Sequence, residues 1–155
     1  MNSRSLIHQA GVIRSYFPDT EITRDGESAL TWVGWLQPTP LSARYKVKVQ
    51  YSRKKGISVF VLEPRLEIAR GSSRLPHVYD QQSQELCLFY PKDREWDISM
   101  WIAKTIIPWA SEWLYFYELW LVTDGDWLGG GVTHQEAPEK STKTNIEANN
   151  DNGAR

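Results

Sequence analysis

The chain has 155 residues, 18 of them basic and 19 acidic, and a formal net charge of −1. This length is near that of one typical domain and predicts a single hydrophobic core. The small net charge excludes an overall electrostatic field that would attract nucleic acid or an anionic membrane. With one cysteine, Cys87, and neither a signal-peptide pattern nor a long apolar stretch, we expect a cytoplasmic protein without an internal disulfide or a membrane span.

The first half of the chain predicts one helix followed by three strands. Apolar residues recur at helical spacing over residues 3–16, and Pro18 ends the pattern. Bulky and β-branched residues over 29–36, alternating apolar and polar residues over 44–51, and a second apolar run over 57–62 each indicate a strand. Because the connections are short, we expect the three strands to form an antiparallel meander.

The second half of the chain predicts a loop and then helices. Residues 75–91 have a polar middle and are interpreted as an ordered loop with a short extended piece around Cys87, and reactive side chains are common in such loops. From Asp97, a candidate N-cap, apolar residues recur at helical spacing to Trp120. Pro108 should kink this helix or divide it in two, with the proline near the first turn of the second part.

The C-terminal part differs in composition from the rest. Three consecutive glycines at 129–131 have too much backbone freedom to continue a helix. Residues 135–155 are rich in Glu, Lys, Thr, Asn and Asp with almost nothing apolar, so burial cannot offset the entropy of ordering them. We therefore expect a folded domain over residues 1–134 and a disordered polar tail over 135–155.

A spacing pattern surrounds the cysteine. The tripeptide His-Val-Tyr occupies 77–79, Cys87 follows its histidine by ten residues and is itself followed by a leucine, and Trp96 stands nine residues beyond Cys87. In this spacing and in the order of its elements, the chain resembles the ubiquitin-conjugating-enzyme-like family. In that family a His-Pro-Asn tripeptide begins the segment that carries the nucleophilic cysteine. The resemblance covers roughly residues 3–127.

This resemblance implies an α+β fold of the UBC type: an N-terminal helix, an antiparallel meander, an active-site loop with a cysteine, and C-terminal helices. The aromatic run over 109–118 and the end at 127–131 are similar to a prokaryotic branch. That branch includes the conjugating-enzyme-like proteins of cyclic-oligonucleotide antiphage signalling (CBASS) operons, which act on the C-terminus of a nucleotidyltransferase (CD-NTase). The implied partner is such a substrate, and the acyl group could come from a separate activating enzyme or be taken up without one. The chain has no nucleotide-binding glycine motif, so it should not activate a carboxylate with ATP by itself.

The resemblance also implies roles for three side chains. Cys87 would carry an acyl group as a thioester, which requires its sulfur to face solvent at the rim of the loop. Tyr79 stands where the family has an Asn associated with the oxyanion, and its hydroxyl donates a hydrogen bond but reaches further than an amide. His77 is expected to hold the loop by bonding backbone groups. No cofactor and no metal are implied.

Other interpretations of these residues stay open on sequence alone. Cys87 could be a buried filler in a catalytically idle binding module of the same fold, or pair with His77 in a cysteine hydrolase that removes a protein. Tyr79 could simply pack the loop, and His134 could be a solvated side chain. A zinc site from Cys87, His77 and His134 would lack a fourth ligand. The basic residues within 44–55 could lie on the solvent-exposed face of a sheet or form a docking surface for a partner.

Overall fold

The computed structural model describes residues 3–129, and the described chain begins with helix α1, Leu6–Tyr16. This confirms the predicted N-terminal helix. The Ser5 side chain caps it by accepting a hydrogen bond from the His8 backbone N–H at 3.4 Å, which satisfies one of the free donors at a helix start. The residues that α1 buries are Leu6, Gln9, Ala10 and Ile13.

Four consecutive antiparallel strands follow, one more than the predicted meander contains. They are β1 (Glu21–Asp25), β2 (Ala29–Leu36), β3 (Tyr45–Ser52) and β4 (Gly56–Glu63). Strand β1 escapes prediction because four of its five residues are exposed, so its sequence carries no apolar alternation. It pairs with β2 and forms one edge of the sheet.

Two short strands lie inside the segment predicted as a loop, residues 75–91. Strand β5 (Val78–Asp80) pairs with β6 (Glu85–Leu86), and β6 pairs in turn with β4. The sheet order is β1-β2-β3-β4-β6-β5, which makes β5 the second edge strand. The segment is therefore an extension of the sheet, and Cys87 follows β6 directly.

The C-terminal helix α2 spans Ile106–Val122 and is shorter than the helix predicted from Asp97. The Asp97 carboxylate does not cap a helix: it accepts the Ser99 N–H at 2.7 Å in a turn, and a 3-10 turn at Ile102–Lys104 precedes α2. Pro108 explains the break, because a proline ring clashes with the carbonyl four residues earlier but fits the first turn of a helix. The predicted division near Pro108 is confirmed, with a 3-10 turn in place of a first helix.

The core lies between one face of the sheet and the two helices. Buried residues of β2, β3, β4 and both helices form one hydrophobic cluster. Ring contacts join the layers: Tyr45 lies 6.2 Å from Tyr117 on α2, and Tyr51 lies 6.1 Å from Trp96, both edge to face. Strand β3 buries the alternate residues that its sequence predicts, namely Tyr45, Val47, Val49 and Tyr51.

Part of the predicted organisation lies outside the described residues. His134 and the polar tail at 135–155 belong to this part, so the domain boundary at 134 stays a prediction. Within residues 3–129, none of the helices has the length and apolar character needed to cross a membrane.

Candidate active site

Cys87 is placed by the backbone of the last two strands of the sheet. Its N–H donates to the carbonyl of His77 at 3.0 Å, which continues the pairing of β5 with β6 by one step. On the other side of β6, the Gln84 carbonyl accepts the Val61 N–H at 3.1 Å, and the buried Gln84 amide donates to the Val61 carbonyl at 2.9 Å. Because β4 belongs to the core of the sheet, these bonds attach the cysteine to a rigid support.

Side chains without a recognisable sequence pattern hold the rest of the segment. The Arg65 guanidinium donates to the carbonyls of Gln81 and Gln82, at 2.8 and 2.5 Å. The Gln81 amide accepts the Leu75 N–H at 2.7 Å and donates to the Leu75 carbonyl at 2.9 Å, as a neighbouring strand would. Polar residues inside a loop show no periodicity, so their sequence cannot reveal this pairing.

The Cys87 thiol is covered, and the residue is 7 % exposed. This corrects the expected solvent-facing position at the rim of the loop. The Sγ atom donates to the Phe89 carbonyl at 3.6 Å, and the Tyr79 hydroxyl lies beside it, placed to donate to the sulfur when the thiol ionises. Cys87 is also not a member of the hydrophobic core cluster. The sulfur is therefore buried at the end of the sheet, within hydrogen-bond range of the Phe89 carbonyl.

Tyr79 lies on edge strand β5 and reaches the cysteine with its hydroxyl. The residue is 52 % exposed, and the hydroxyl donates to the Phe89 carbonyl at 3.1 Å. Burial of the hydroxyl, and then its hydrogen bond with Cys87, raise the pKa of Tyr79 well above the ordinary value for a phenol. The phenol therefore keeps its proton at physiological pH and can act as a hydrogen-bond donor.

The surroundings of the thiol act on its pKa in opposite directions. Burial raises the pKa of Cys87, and the negative charge of Glu95 adds to this, whereas the hydrogen bonds with Tyr79 and with the Phe89 backbone lower it. The net direction is upward from the ordinary value of a thiol. The resting residue is therefore a neutral thiol at neutral pH, and the Tyr79 phenol favours what thiolate does form.

His77 supports the site through its main chain. Its carbonyl accepts the Cys87 N–H at 3.0 Å and the indole N–H of Trp113 at 3.1 Å. Its imidazole ring packs against Trp127, with the ring centroids 4.8 Å apart. The main chain of His77 thus anchors the segment, whereas bonding of its side chain to backbone groups stays a prediction. Neither Trp113 nor Trp127 is marked as a site residue by the sequence.

The three residues singled out from the sequence therefore meet in one place: the Cys87 N–H bonds the His77 carbonyl, and the Cys87 thiol and the Tyr79 hydroxyl both bond the Phe89 carbonyl. A scan against protein-family models matches residues 9–135 with the family described as Type II CBASS E2 protein, and the match includes the whole segment around Cys87. The chain belongs to this family. A search of the curated proteins finds no match.

Membership of the Type II CBASS E2 family gives the protein an E2-like role in CBASS antiphage defence. The antiphage branch that the sequence resembles is thereby confirmed. The family context also points to protein partners in the CBASS operon. The described architecture agrees with the predicted α+β class, with an N-terminal helix, an antiparallel sheet of six strands and a C-terminal helix.

In this E2 protein, aromatic rings fix the carbonyl to which both the thiol and the phenol bond. The Phe89 ring lies 6.3 Å from Trp96 and 6.2 Å from Trp109 on α2. The Trp96 indole N–H donates to the Thr105 hydroxyl at 2.9 Å, which orients that ring in turn. The position of Trp96 was part of the spacing pattern, but Phe89 reads as an ordinary apolar residue in the sequence.

The zinc alternative can be compared with the side chains that the structure describes. Among residues 3–129, no group of three or more His, Cys, Asp or Glu side chains is arranged to hold a metal ion. The zinc alternative also required His134, which lies outside that range. The groups that meet at the candidate site are a thiol, a phenol and backbone carbonyls and N–H groups.

Proposed function

We propose that Cys87 accepts the C-terminal acyl group of a protein substrate as a thioester and passes it to an amine. The observation that carries the proposal is that the Cys87 thiol and the Tyr79 hydroxyl meet at one acceptor, the Phe89 carbonyl, at 3.6 and 3.1 Å. A nucleophile beside a fixed proton donor is the arrangement that acyl transfer requires. Membership of the E2 family supports a conjugating role for this pair.

In the loading step, the Cys87 sulfur replaces the activating group on the C-terminal carbonyl of the substrate. The thiol gives its proton to solvent, Sγ forms a bond to the carbonyl carbon, and the tetrahedral intermediate expels the activating group with the electron pair of the broken bond. Because burial raises the pKa of Cys87, we expect the thiolate to form as the activated carbonyl approaches. In the simplest scheme a separate activating enzyme supplies the activated acyl group.

Tyr79 is the proposed donor to the oxyanion of that intermediate. Its single hydroxyl proton is directed at the Phe89 carbonyl, 3.1 Å away, in the resting protein. A carbonyl is a neutral acceptor, so a thiolate or an oxyanion beside it forms the stronger hydrogen bond and draws the proton away. The raised pKa of Tyr79 keeps that proton on the phenol throughout. The phenol can thus supply the hydrogen bond that the family's Asn supplies.

Transfer reverses the chemistry at sulfur. An amine attacks the thioester carbonyl, a C–N bond forms, the C–S bond breaks, and the amine proton passes to solvent while Cys87 leaves as a thiolate. A thiol of lower pKa leaves faster, so the hydrogen bond from Tyr79 assists this step as well. By resemblance, the protein carried is the CD-NTase of the CBASS operon.

The test is the intact mass of the protein co-expressed with its operon neighbours. Because the chain has one cysteine, a thiol-linked adduct can lie only on Cys87. We expect an adduct with the mass of the nucleotidyltransferase, which thiol reductant and neutral hydroxylamine both remove and which Cys87→Ala does not form. Hydroxylamine separates a thioester from a mixed disulfide, since a disulfide resists it. An adduct that persists in Cys87→Ala contradicts the proposal.

The same experiment separates the two alternatives. An idle binding module forms no adduct, and its Cys87→Ala variant keeps the antiphage effect in cells. A cysteine hydrolase releases the acyl group to water, whereas a transferase that is incubated with lysine releases it as the lysine amide, and the two products differ in mass. A hydrolytic dyad would also need the His77 imidazole within hydrogen-bond reach of the Cys87 sulfur.

A further inference from the structure

The carbonyl of His77 is a junction between the cysteine and helix α2. It accepts two hydrogen bonds, one from the Cys87 N–H at 3.0 Å and one from the Trp113 indole N–H at 3.1 Å. A carbonyl oxygen has two lone pairs, so both bonds form together. The indole of Trp113 belongs to a buried residue of α2, a helix of 17 residues in the core. The backbone of the cysteine is thereby connected to a rigid element outside the sheet.

The His77 backbone depends on such contacts. Its φ angle is +47°, in the left-handed region that a residue with a side chain rarely adopts. A conformation of this kind persists when surrounding contacts hold it. Two tryptophans provide these contacts. The Trp113 indole donates to the His77 carbonyl, and the Trp127 ring packs with centroid distances of 4.8 Å to the imidazole and 5.5 Å to Trp113.

We propose that Trp113 is a positioning residue for Cys87, because its indole N–H fixes the carbonyl that holds the cysteine backbone in place. This inference rests on the proposed function in taking Cys87 as the nucleophile. Without the indole N–H, the carbonyl keeps its bond with Cys87 but loses the connection to α2. The segment then opens more often, and the thiol spends less time in the geometry that a tetrahedral intermediate requires.

The role of the N–H can be separated from the role of the ring. The Trp113 ring is stacked on Tyr117 at 5.9 Å and packs in the aromatic layer of α2. Trp113→Phe keeps an aromatic ring and removes the donor. Trp120→Phe is the matched control, since Trp120 is a buried tryptophan of the same helix that also contacts Tyr117, at 6.2 Å.

The test measures two rates for each variant, together with the thermal midpoint. The first is alkylation of Cys87 by iodoacetamide, which requires only that the covered thiol becomes exposed. The second is loading with the activated nucleotidyltransferase, which requires aligned groups. For Trp113→Phe we expect alkylation to become about three- to tenfold faster and loading about tenfold slower, as loss of one hydrogen bond and of alignment predicts. Trp120→Phe should change neither rate by more than about twofold, within the ordinary effect of a remote substitution.

Opposite changes in the two rates, with a thermal midpoint no lower than that of Trp120→Phe, support the inference, because general destabilisation would lower the midpoint as well. The inference is overturned if Trp113→Phe is alkylated at the wild-type rate, or if its alkylation is faster while its loading rate is unchanged. If wild-type protein does not load, the proposed function fails, and the alkylation rates still decide whether Trp113 anchors the segment. If Trp113→Phe does not fold, benzothienylalanine at 113 keeps the shape of the indole without its N–H and gives the same comparison.

Discussion

The thiol of Cys87 and the phenol of Tyr79 form a pair in which each changes the proton affinity of the other. Their hydrogen bond lowers the pKa of Cys87 against the larger effect of burial, and it raises the pKa of Tyr79. The bond is strongest when the sulfur is ionised, because a phenol donates better to an anion than to a neutral thiol.

We predict that Tyr79→Phe raises the pKa of Cys87 further. The variant loses a hydrogen bond that favours the thiolate, so the pH at which alkylation reaches half its maximum rate should move upward. At neutral pH the alkylation rate should fall about three- to tenfold, and loading should fall about a hundredfold, as expected when an oxyanion donor is removed. Rates of iodoacetamide labelling and of loading across pH give both values.

The control for this variant is Tyr115→Phe, which removes an exposed phenol from α2. It should leave the pH profile of Cys87 in place. A pH profile that does not move in Tyr79→Phe would show that the phenol does not stabilise the thiolate.

The sequence identifies the residues of this pair but not their surroundings. Cys87 and Tyr79 stand at positions that the spacing pattern marks. The sulfur contacts the main-chain carbonyl of Phe89. Because every residue has such a carbonyl, the sequence cannot indicate this contact. The expected exposure of the thiol was wrong for that reason, since contact between residues 79, 87 and 89 follows from the β5–β6 pairing.

At the scale of elements, the start of helix α1 depends on a carboxylate far along the chain. Glu27, in the turn between β1 and β2, accepts the Leu6 N–H at 2.6 Å and the Ile7 N–H at 3.2 Å. These bonds lower the pKa of Glu27, and the positive charges of Arg24 and Arg53 act in the same direction. A carboxylate at this end of a helix is also favoured by the helix dipole.

We predict that Glu27→Gln lowers the thermal midpoint at neutral pH by a few degrees. A lowered pKa means that the stabilisation is present above the ordinary pKa of 4.5 and is lost as the pH falls through the lower value in the folded protein. The difference between variant and wild type should therefore shrink as the pH falls through the lowered pKa of Glu27, because the protonated carboxyl is then neutral like the glutamine. Thermal melts followed by circular dichroism at several pH values measure it.

Glu21→Gln provides the comparison for this effect, since Glu21 is an exposed carboxylate on neighbouring β1. It should leave the midpoint nearly unchanged. Equal losses in the two variants, or a Glu27→Gln loss that is independent of pH, would contradict the assigned role. The sequence predicts α1 itself from its periodicity, but 21 residues separate Glu27 from Leu6, so this second cap cannot be predicted locally.

At the scale of the whole molecule, two buried glutamines connect parts that the sequence leaves apart. Gln9 of α1 donates to the carbonyls of Ile98 and Met100 at 3.3 and 2.8 Å and accepts the Ile102 N–H at 3.0 Å. Gln84 is likewise buried and joins the turn before β6 to β4. A glutamine usually indicates a surface position, so a pattern of apolar residues recovers the helices and the main strands but not these connections.

The overall order of elements was predictable because the longer helices and strands bury regular apolar faces. Strands β2, β3 and β4 and both helices show such periodicity, whereas β1, β5 and β6 are short or exposed and gain their structure from pairing with neighbours. The candidate site lies in this second group. Its position in the chain is visible in the sequence, and its geometry is a product of the assembled sheet.

The most direct measurement of the proposed chemistry is the intact mass of Cys87→Ser after loading with the activated nucleotidyltransferase. A serine hydroxyl at the same place forms an oxygen ester, which resists thiol reductant and brief treatment with neutral hydroxylamine. We predict an adduct of the same added mass as on the wild type, formed more slowly and stable to both reagents. An adduct on the serine variant that both reagents still remove would show that the acyl group is carried elsewhere, and would contradict the assignment of Cys87.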